Sequence, residues 1–351
     1  MDTHKKWFIV SLILTCSVVL CIGGLNYLAD PYGIFRHDFS YQFIEPNKNF
    51  IKTRHIKRNP EKYDCLLFGS SRANNIDVRK VPGAVCYNMN YSEGVPRNHL
   101  ENLRYILGKG VKIKTVILAL DEFSYKIDAR EHLSQPLRHP YPPVVKENTF
   151  SYYLKYLFSM FKGSIWKEVA SGYKNRMGSQ GERPLIEYDM FGSGMAFFPV
   201  IEKAVEDNPR AHINDVRFDA PYRSRGDNLK EALNDIKDIV RTAKENGIRL
   251  IILINPIHKT TYLASDIPQL MDFKKQLGWI HDYYDFSGLN SVTTNNYYYF
   301  ETSHYRMAVG DMMIGRIFKT GQTRVPDDFG SFVTADNIDG HLSGLKKQLA
   351  R

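Results

Sequence analysis

Ser71 and His304 are the residues of this chain best suited by sequence to covalent chemistry. Ser71 lies in Leu67-Phe68-Gly69-Ser70-Ser71-Arg72, a turn directly after the apolar run at residues 65–68. Such a run reads as a buried strand. A serine on a strand-to-helix turn is exposed for attack, with backbone N–H groups aimed at a developing oxyanion. His304 closes Glu301-Thr302-Ser303-His304. An acid three residues before a histidine can hold one imidazole nitrogen while the other faces a serine. Gly-Ser-Ser occurs in many loops, and Glu-x-x-His is a common helical spacing for a solvated pair. In this order, each beside a predicted strand, they point to a Ser–His–Glu serine hydrolase, with Ser70 as the rival nucleophile.

Groups so far apart in sequence need a fold to join them. Apolar runs at residues 63–68, 84–89, 116–120, 249–254 and 279–286 read as strands. Helical spacing fills 95–107, with Leu100, Leu103, Ile106 and Leu107 on one face. It also fills 228–246, closed by Gly247, and 305–318. Residues 296–300 read as a Tyr-rich strand. Strands that are near-continuously apolar and alternate with helices predict a three-layer α/β fold with a mainly parallel sheet. Chemistry in such sheets gathers beyond the carboxyl ends of the strands. Ser71, residues 91–94, Asp121 and Glu122, residues 255–258 and residues 301–304 all fall there, which makes His258 a candidate pocket residue. Between 123 and 226 the rhythm fails for longer than an ordinary connection. This stretch, with Pro136, Pro140, Pro142 and Pro143, aromatic helices and a Gly/Ser/Arg-rich piece, is expected to be a large insertion over the active-site face. Within it, residues 151–166 read as a core-facing helix, with an amphipathic helix lying on a surface as the alternative. The tail is polar, with a surface helix at 335–350.

Residues 7–28 are apolar and uncharged, and a spanning helix needs about 20 such residues. Lys5 and Lys6 precede the run and Asp30 follows it. This predicts one transmembrane helix in the cytoplasmic membrane, N-terminus inside and the remainder outside. A cleaved signal peptide is the rival, but its apolar core is about 7–15 residues and ends in a small-residue site absent after Gly23-Gly24. The expected organisation is an anchor at 1–29, an irregular stalk at 30–61 broken by Pro31, Pro46 and Pro60, the α/β domain at 62–320 and a tail at 321–351. The net charge of +9 suits an anionic neighbour such as a phospholipid surface or an acidic glycan. Nucleic acid is not an expected partner outside the membrane. Cys16 and Cys21 lie in the span. Cys65 and Cys86 fall in predicted strands and are expected as free buried thiols, with a disulfide between neighbouring strands as the alternative. No Cys/His spacing suggests zinc, and neither a metal nor a cofactor is expected. His132, His139 and His212 read as surface or packing residues.

Over residues 60–125 and 228–320 the pattern resembles the SGNH (GDSL-like) hydrolase superfamily. That family's first block is a strand followed by Gly-Asp-Ser, and Gly69-Ser70-Ser71 matches it with Ser71 as nucleophile. Its last block, Asp-x-x-His, is matched by Glu301 and His304. Its second block resembles Asn88-Met89-Asn90-Tyr91-Ser92-Glu93-Gly94, where Gly94 fits with one residue inserted. Its third block, Gly-x-Asn-Asp, is replaced by Leu120-Asp121-Glu122-Phe123, which removes one oxyanion donor. A membrane-anchored bacterial subset is more similar still, with Asp30-Pro31-Tyr32-Gly33 after the anchor and Ser303-His304-Tyr305 near the end. Better-known relatives of that subset handle acyl groups on cell-surface polymers, as in alginate O-acetylation and teichoic-acid D-alanylation. The resemblance implies an SGNH/flavodoxin-like fold and an esterase or O-acyltransferase. Ser71 would attack, His304 would carry the proton and Glu301 would orient it. The Ser71 N–H, an N–H near Gly94 and the Asn90 side chain would hold the oxyanion. Arg72 would bind an anionic substrate group or form a salt bridge at the first helix. Implied partners are a glycan or acylated surface polymer and a membrane acyl-donor protein. The alternative class, suggested by the altered third block, is a catalytically degenerate glycan-binding or polysaccharide-assembly subunit.

Overall fold

In the computed structural model of the chain, which describes residues 3–36, 39, 44–158, 165–171 and 186–350, the apolar runs pair into one sheet. Its strands are β1 (Cys65–Gly69), β2 (Cys86–Asn88), β3 (Thr115–Leu120), β6 (Arg249–Ile254), β7 (Tyr283–Asp285) and β8 (Ser331–Val333). Two further strands, β4 (Glu187–Asp189) and β5 (Met195–Phe197), form a separate antiparallel pair. The six-stranded sheet has the order β2-β1-β3-β6-β7-β8. All its pairings are parallel except β7 with β8.

Successive strand side chains point to opposite faces, and the two faces have different covers. Leu66, Phe68, Val116, Leu118, Ile252 and Ile254 pack with residues of the helices Pro96–Gly108, Leu229–Glu245 and Ile267–Ile280. Cys65, Leu67, Ile117, Ala119, Ile251 and Leu253 pack with the helix Met307–Phe318 and the turn after β1. The strand order reverses at β1, since β2 lies on one side of it and β3 on the other. Crevices at such switch points are where open α/β sheets bind ligands.

Four local expectations are corrected. Cys65 and Cys86 are disulfide-bonded. The register sets them directly opposite on β1 and β2, with Cα atoms 4.2 Å apart. Residues 48–58 of the expected stalk form a helix, Lys48–Arg58, whose first nine residues are buried. Residues 296–300 are not a strand: Asn296–Tyr298 is a short 3-10 helix, followed by a single bridge from Tyr299 to Tyr305. Trp279 belongs to the helix Ile267–Ile280, and only Tyr283–Asp285 is strand. The helix expected at 151–166 runs Thr149–Phe158; residues 159–164 and much of the Gly/Ser/Arg-rich piece, at 172–185, lie outside the described residues. The N-terminal helix, Thr3–Ala29, is long and apolar enough to cross a membrane, and its most apolar stretch is not buried against the protein.

Candidate active site

β1 ends at Gly69 and the chain turns at once into a 3-10 helix, Ser71–Asn75. Ser70 caps that turn with extended backbone and accepts the Arg72 N–H on its hydroxyl at 3.3 Å. The buried Ser70 hydroxyl donates to Asp121 Oδ2 at 2.5 Å. Ser71 takes the other direction, its Oγ 2.9 Å from His304 Nε2.

Glu301 holds the histidine through its own turn. Glu301 Oε1 accepts from His304 Nδ1 and, at 2.9 Å, from the His304 backbone N–H. Its Oε2 accepts the Ser303 N–H at 2.6 Å. The methylene that glutamate adds over aspartate is absorbed by this fold-back. A carboxylate only accepts, so Nδ1 carries the proton and Nε2 offers its lone pair to the Ser71 hydroxyl. Burial pushes the Glu301 carboxyl up, but the hydrogen bond and charge of His304, the Ser303 N–H and Arg72 outweigh it and hold the carboxyl below its usual value. The His304 and Glu301 side chains are 37% and 36% exposed, so the pair opens onto solvent.

Further contacts join the Ser71 turn to the loop of His304 and the helix that follows it. Arg72 Nε donates to the Ser303 carbonyl at 3.0 Å. Asn75 Nδ2 donates to the Tyr305 carbonyl at 2.5 Å. Gly310, in the helix Met307–Phe318, lies so close to the turn that a Cβ there would stand 1.9 Å from the Asn75 carbonyl oxygen.

Arg72 is not on the cleft wall. It is fully buried, with Nη2 donating to Glu122 Oε1 at 3.2 Å and Nη1 paired with Asp121 Oδ2 at 3.7 Å. Its guanidinium lies over the Phe123 ring, 4.5 Å from the centroid. Of the two roles expected for it, the geometry gives the salt bridge. Asp121 also takes a 3.4 Å bond from Asn255 Nδ2, and Asn255 Oδ1 accepts from Tyr305 at 3.0 Å. Of this network beneath Ser71, the sequence reading held only a salt bridge for Arg72 and none of its partners. Its one signal is two adjacent acids at a strand end, which a buried arginine on a neighbouring strand end would require.

Gly94 and Asn90, two of the residues expected around the oxyanion, do not line the cleft. The Gly94 N–H donates to the Tyr91 carbonyl at 3.1 Å. Gly94 instead permits close packing, since a Cβ there would lie 2.4 Å from the Gly69 carbonyl oxygen. Asn90 is buried away from the cleft lining, its Oδ1 and carbonyl accepting from Lys52 Nζ at 2.7 and 2.6 Å. Ser92 and Glu93 are the residues of that loop that line the cleft, Glu93 with a φ of 53°. A side chain in the left-handed region is strained, and Arg138 pins the turn, 3.0 Å from Glu93 Oε2 and 3.1 Å from the Ser92 carbonyl. His258 is buried and outside the cleft. Its Nε2 bonds Asn296 Oδ1 at 2.9 Å, its Nδ1 accepts the Thr260 N–H at 3.2 Å, and burial lowers its pKa. It caps the short helix Lys259–Leu263.

Ser71, Glu301 and His304 line a cavity of about 510 Å³, within the range of about 300–1,000 Å³ usual for small-molecule sites. Phe123, Ile186, Tyr188, Phe198, Tyr222 and Phe300 give it apolar walls. All but Phe300 come from the connection between β3 and β6. Among the described residues, no group of three or more His, Cys, Asp or Glu is arranged to hold a metal ion. No protein-family model matches this sequence, and no curated protein matches it either.

Proposed function

We propose that this chain is a membrane-anchored, extracytoplasmic serine esterase or O-acyltransferase of SGNH-like fold, acting on an acyl ester of a cell-surface glycan or lipid. The observation that carries the reading is the hydrogen-bonded series Ser71–His304–Glu301, at the switch point of a parallel sheet and open to a cavity. Ser71 Oγ bonds to the ester carbonyl carbon as its proton passes to His304 Nε2. The tetrahedral adduct collapses with cleavage of the C–O bond, and the imidazolium returns the proton to the leaving alkoxide. Water or a sugar hydroxyl then attacks the acyl-serine, with His304 again taking the proton, and Ser71 is released. The Ser71 N–H and the Ser92–Glu93 peptide on the cleft wall are the oxyanion donors in this reading. The segment 123–226 acts as the insertion that supplies the substrate walls. The Cys65–Cys86 disulfide supports placement of the domain on the oxidising side of the membrane.

One observation favours a second reading. The Gly94 N–H is occupied, and Asp121 and Glu122, both acceptors, stand in the block where the family has a donor. Loss of one such donor typically costs about 10²–10³ in turnover, which fits a catalytically degenerate glycan-binding or assembly subunit. Fluorophosphonate labelling of the full-length chain in membranes separates the two. Labelling that is kept in Ser70→Ala but lost in Ser71→Ala and His304→Ala is the expected result. A folded wild-type chain that never labels would overturn the esterase reading.

A further inference from the structure

The helix Thr149–Phe158 shows two unlike faces. Tyr152 and Tyr156 are buried against the domain, while Phe150 is 72% and Leu154 37% exposed. Phe150, Leu154 and Phe158 follow one another at intervals of four and so form one stripe. Its exposed end faces outward, and its other end meets the apolar N-terminal helix, because a Cβ on Gly23 would sit 4.0 Å from Phe158 Cζ. One turn further along that helix, Asn26 Nδ2 donates to the Leu157 carbonyl. Phe35 ties the same junction together, with ring centroids 5.3 Å from Tyr27 and 5.7 Å from Tyr153.

We propose that the helix Thr149–Phe158 is a second membrane contact, lying in the interfacial layer of the bilayer with Phe150 and Leu154 among the lipid acyl chains. This rests on the reading of Thr3–Ala29 as the anchor. The depth follows from the contact with Gly23. Gly23 precedes Leu28, the last residue of the apolar run, by five residues, about 7 Å along a helix axis at ~1.5 Å per residue. Phe158, the end of the stripe nearest the anchor, therefore reaches about 7 Å below the end of the apolar run, within the ~5–10 Å band in which amphipathic helices settle. The stripe continues the lipid-facing surface of the anchor, which marks lipid as its occupant. Lys155, its side chain 55% exposed and paired with Glu147, lies beside the stripe, where a long cation reaches back to the headgroups. Tyrosines and phenylalanines suit this layer, their rings apolar and, for Tyr, one edge wet.

The test places a nitroxide on the full-length chain in phosphatidylcholine–phosphatidylglycerol vesicles. Cys16→Ser and Cys21→Ser remove the free thiols. Single cysteines then go in as Phe150→Cys, Leu154→Cys, Val18→Cys within the span and Phe332→Cys on the edge strand. Collisions with dissolved oxygen and with a water-soluble nickel chelate report depth. Labels at 150 and 154 are expected to meet oxygen several-fold more, and nickel several-fold less, than the label at 332. A label at 18 that meets nickel as freely as one at 332 overturns the anchor itself. With 18 in lipid, aqueous values at 150 and 154 overturn this proposal alone. Shielding at 150 and 154 from both reagents means a protein partner or a second copy covers the stripe, and also overturns it.

Discussion

Ser70 and Ser71 differ in fate because the backbone changes course between them. Ser70 keeps the extended geometry of β1 and sends its hydroxyl under the sheet end to Asp121, whereas Ser71 opens the 3-10 turn and faces His304. Arg72 fixes the distance between turn and base. Its Nε and Nη2 donors reach the Ser303 carbonyl on the loop before His304 and Glu122 at the start of the helix Glu122–Lys126. A lysine keeps the charge but cannot span both, because its donors radiate from one atom. Arg72→Lys is therefore expected to slow fluorophosphonate labelling by roughly 10–100-fold, the scale of a misplaced catalytic group, and to lower the unfolding midpoint, because a buried carboxylate loses a partner. An unchanged labelling rate would show that Arg72 does not set the geometry. The three residues of the proposed triad were legible in the sequence because each sits in a short motif beside a strand. For Arg72 the salt bridge was one of two roles legible, but not its partners Asp121 and Glu122. The surroundings of Gly94, Asn90 and His258 were not legible, because Tyr91, Lys52 and Asn296 are chosen by packing that local spacing does not encode.

At the scale of elements, the strands and the long amphipathic helices were legible because they bury apolar residues at the expected periods. The helix Lys48–Arg58 was missed because it buries polar ones. Lys52 reaches Asn90, Thr53 reaches Asn102, Arg54 reaches the Ile34 carbonyl and His55 bonds the Tyr63 hydroxyl. Burial drives the Lys52 amine well below its ordinary pKa. β8 escaped because it is three residues long with two of them exposed, so it presents no buried apolar run. Helix docking also decides the sign of one substitution. Replacing a helical glycine by alanine gains about 1 kcal/mol in intrinsic propensity. At Gly310 the new Cβ would stand 1.9 Å from the Asn75 carbonyl oxygen and 2.9 Å from Ile76 Cα, backbone atoms that cannot rotate aside. Overpacking of this kind costs about 1–3 kcal/mol, so the clash outweighs the propensity. Gly310→Ala is expected to lower the urea midpoint and to weaken Ser71 labelling together, because the displaced helix follows directly on the His304 loop. A raised midpoint would show that the helix yields freely.

Across the whole molecule, stability should fall on mild acidification because the fold buries neutral imidazoles. His99 lies between Phe68 and Tyr91, and His132 packs on the other side of Tyr91. Burial lowers the pKa of His99 to about 3, helped by His132 nearby. Burial and the Arg138 charge lower that of His132 to about 3 against the pull of Asp128. His55 is lowered to about 4, by burial and then Lys62. In each case the unfolded chain takes up a proton near pH 6.5 that the native chain refuses until well below it. The unfolded state therefore binds more protons in that window, and stability rises with pH across it and is lost as pH falls. Carboxylates held below their usual range, Glu301 among them, add the same trend only below about pH 4.5, so the interval from pH 6.5 to 5 isolates the histidines. Each imidazole contributes a slope of up to about 1.4 kcal/mol per pH unit. Neither ring nitrogen of His132 has a hydrogen-bond partner among the described residues, so an apolar side chain of similar size leaves no polar group stranded. His132→Leu should flatten the pH dependence of the urea midpoint by about one such increment, measured on the full chain in detergent between pH 5 and 7. His99→Leu should do the same, with the two changes additive in slope. A wild-type midpoint that stays level across that interval would mean that these rings are hydrated or already charged in the native protein.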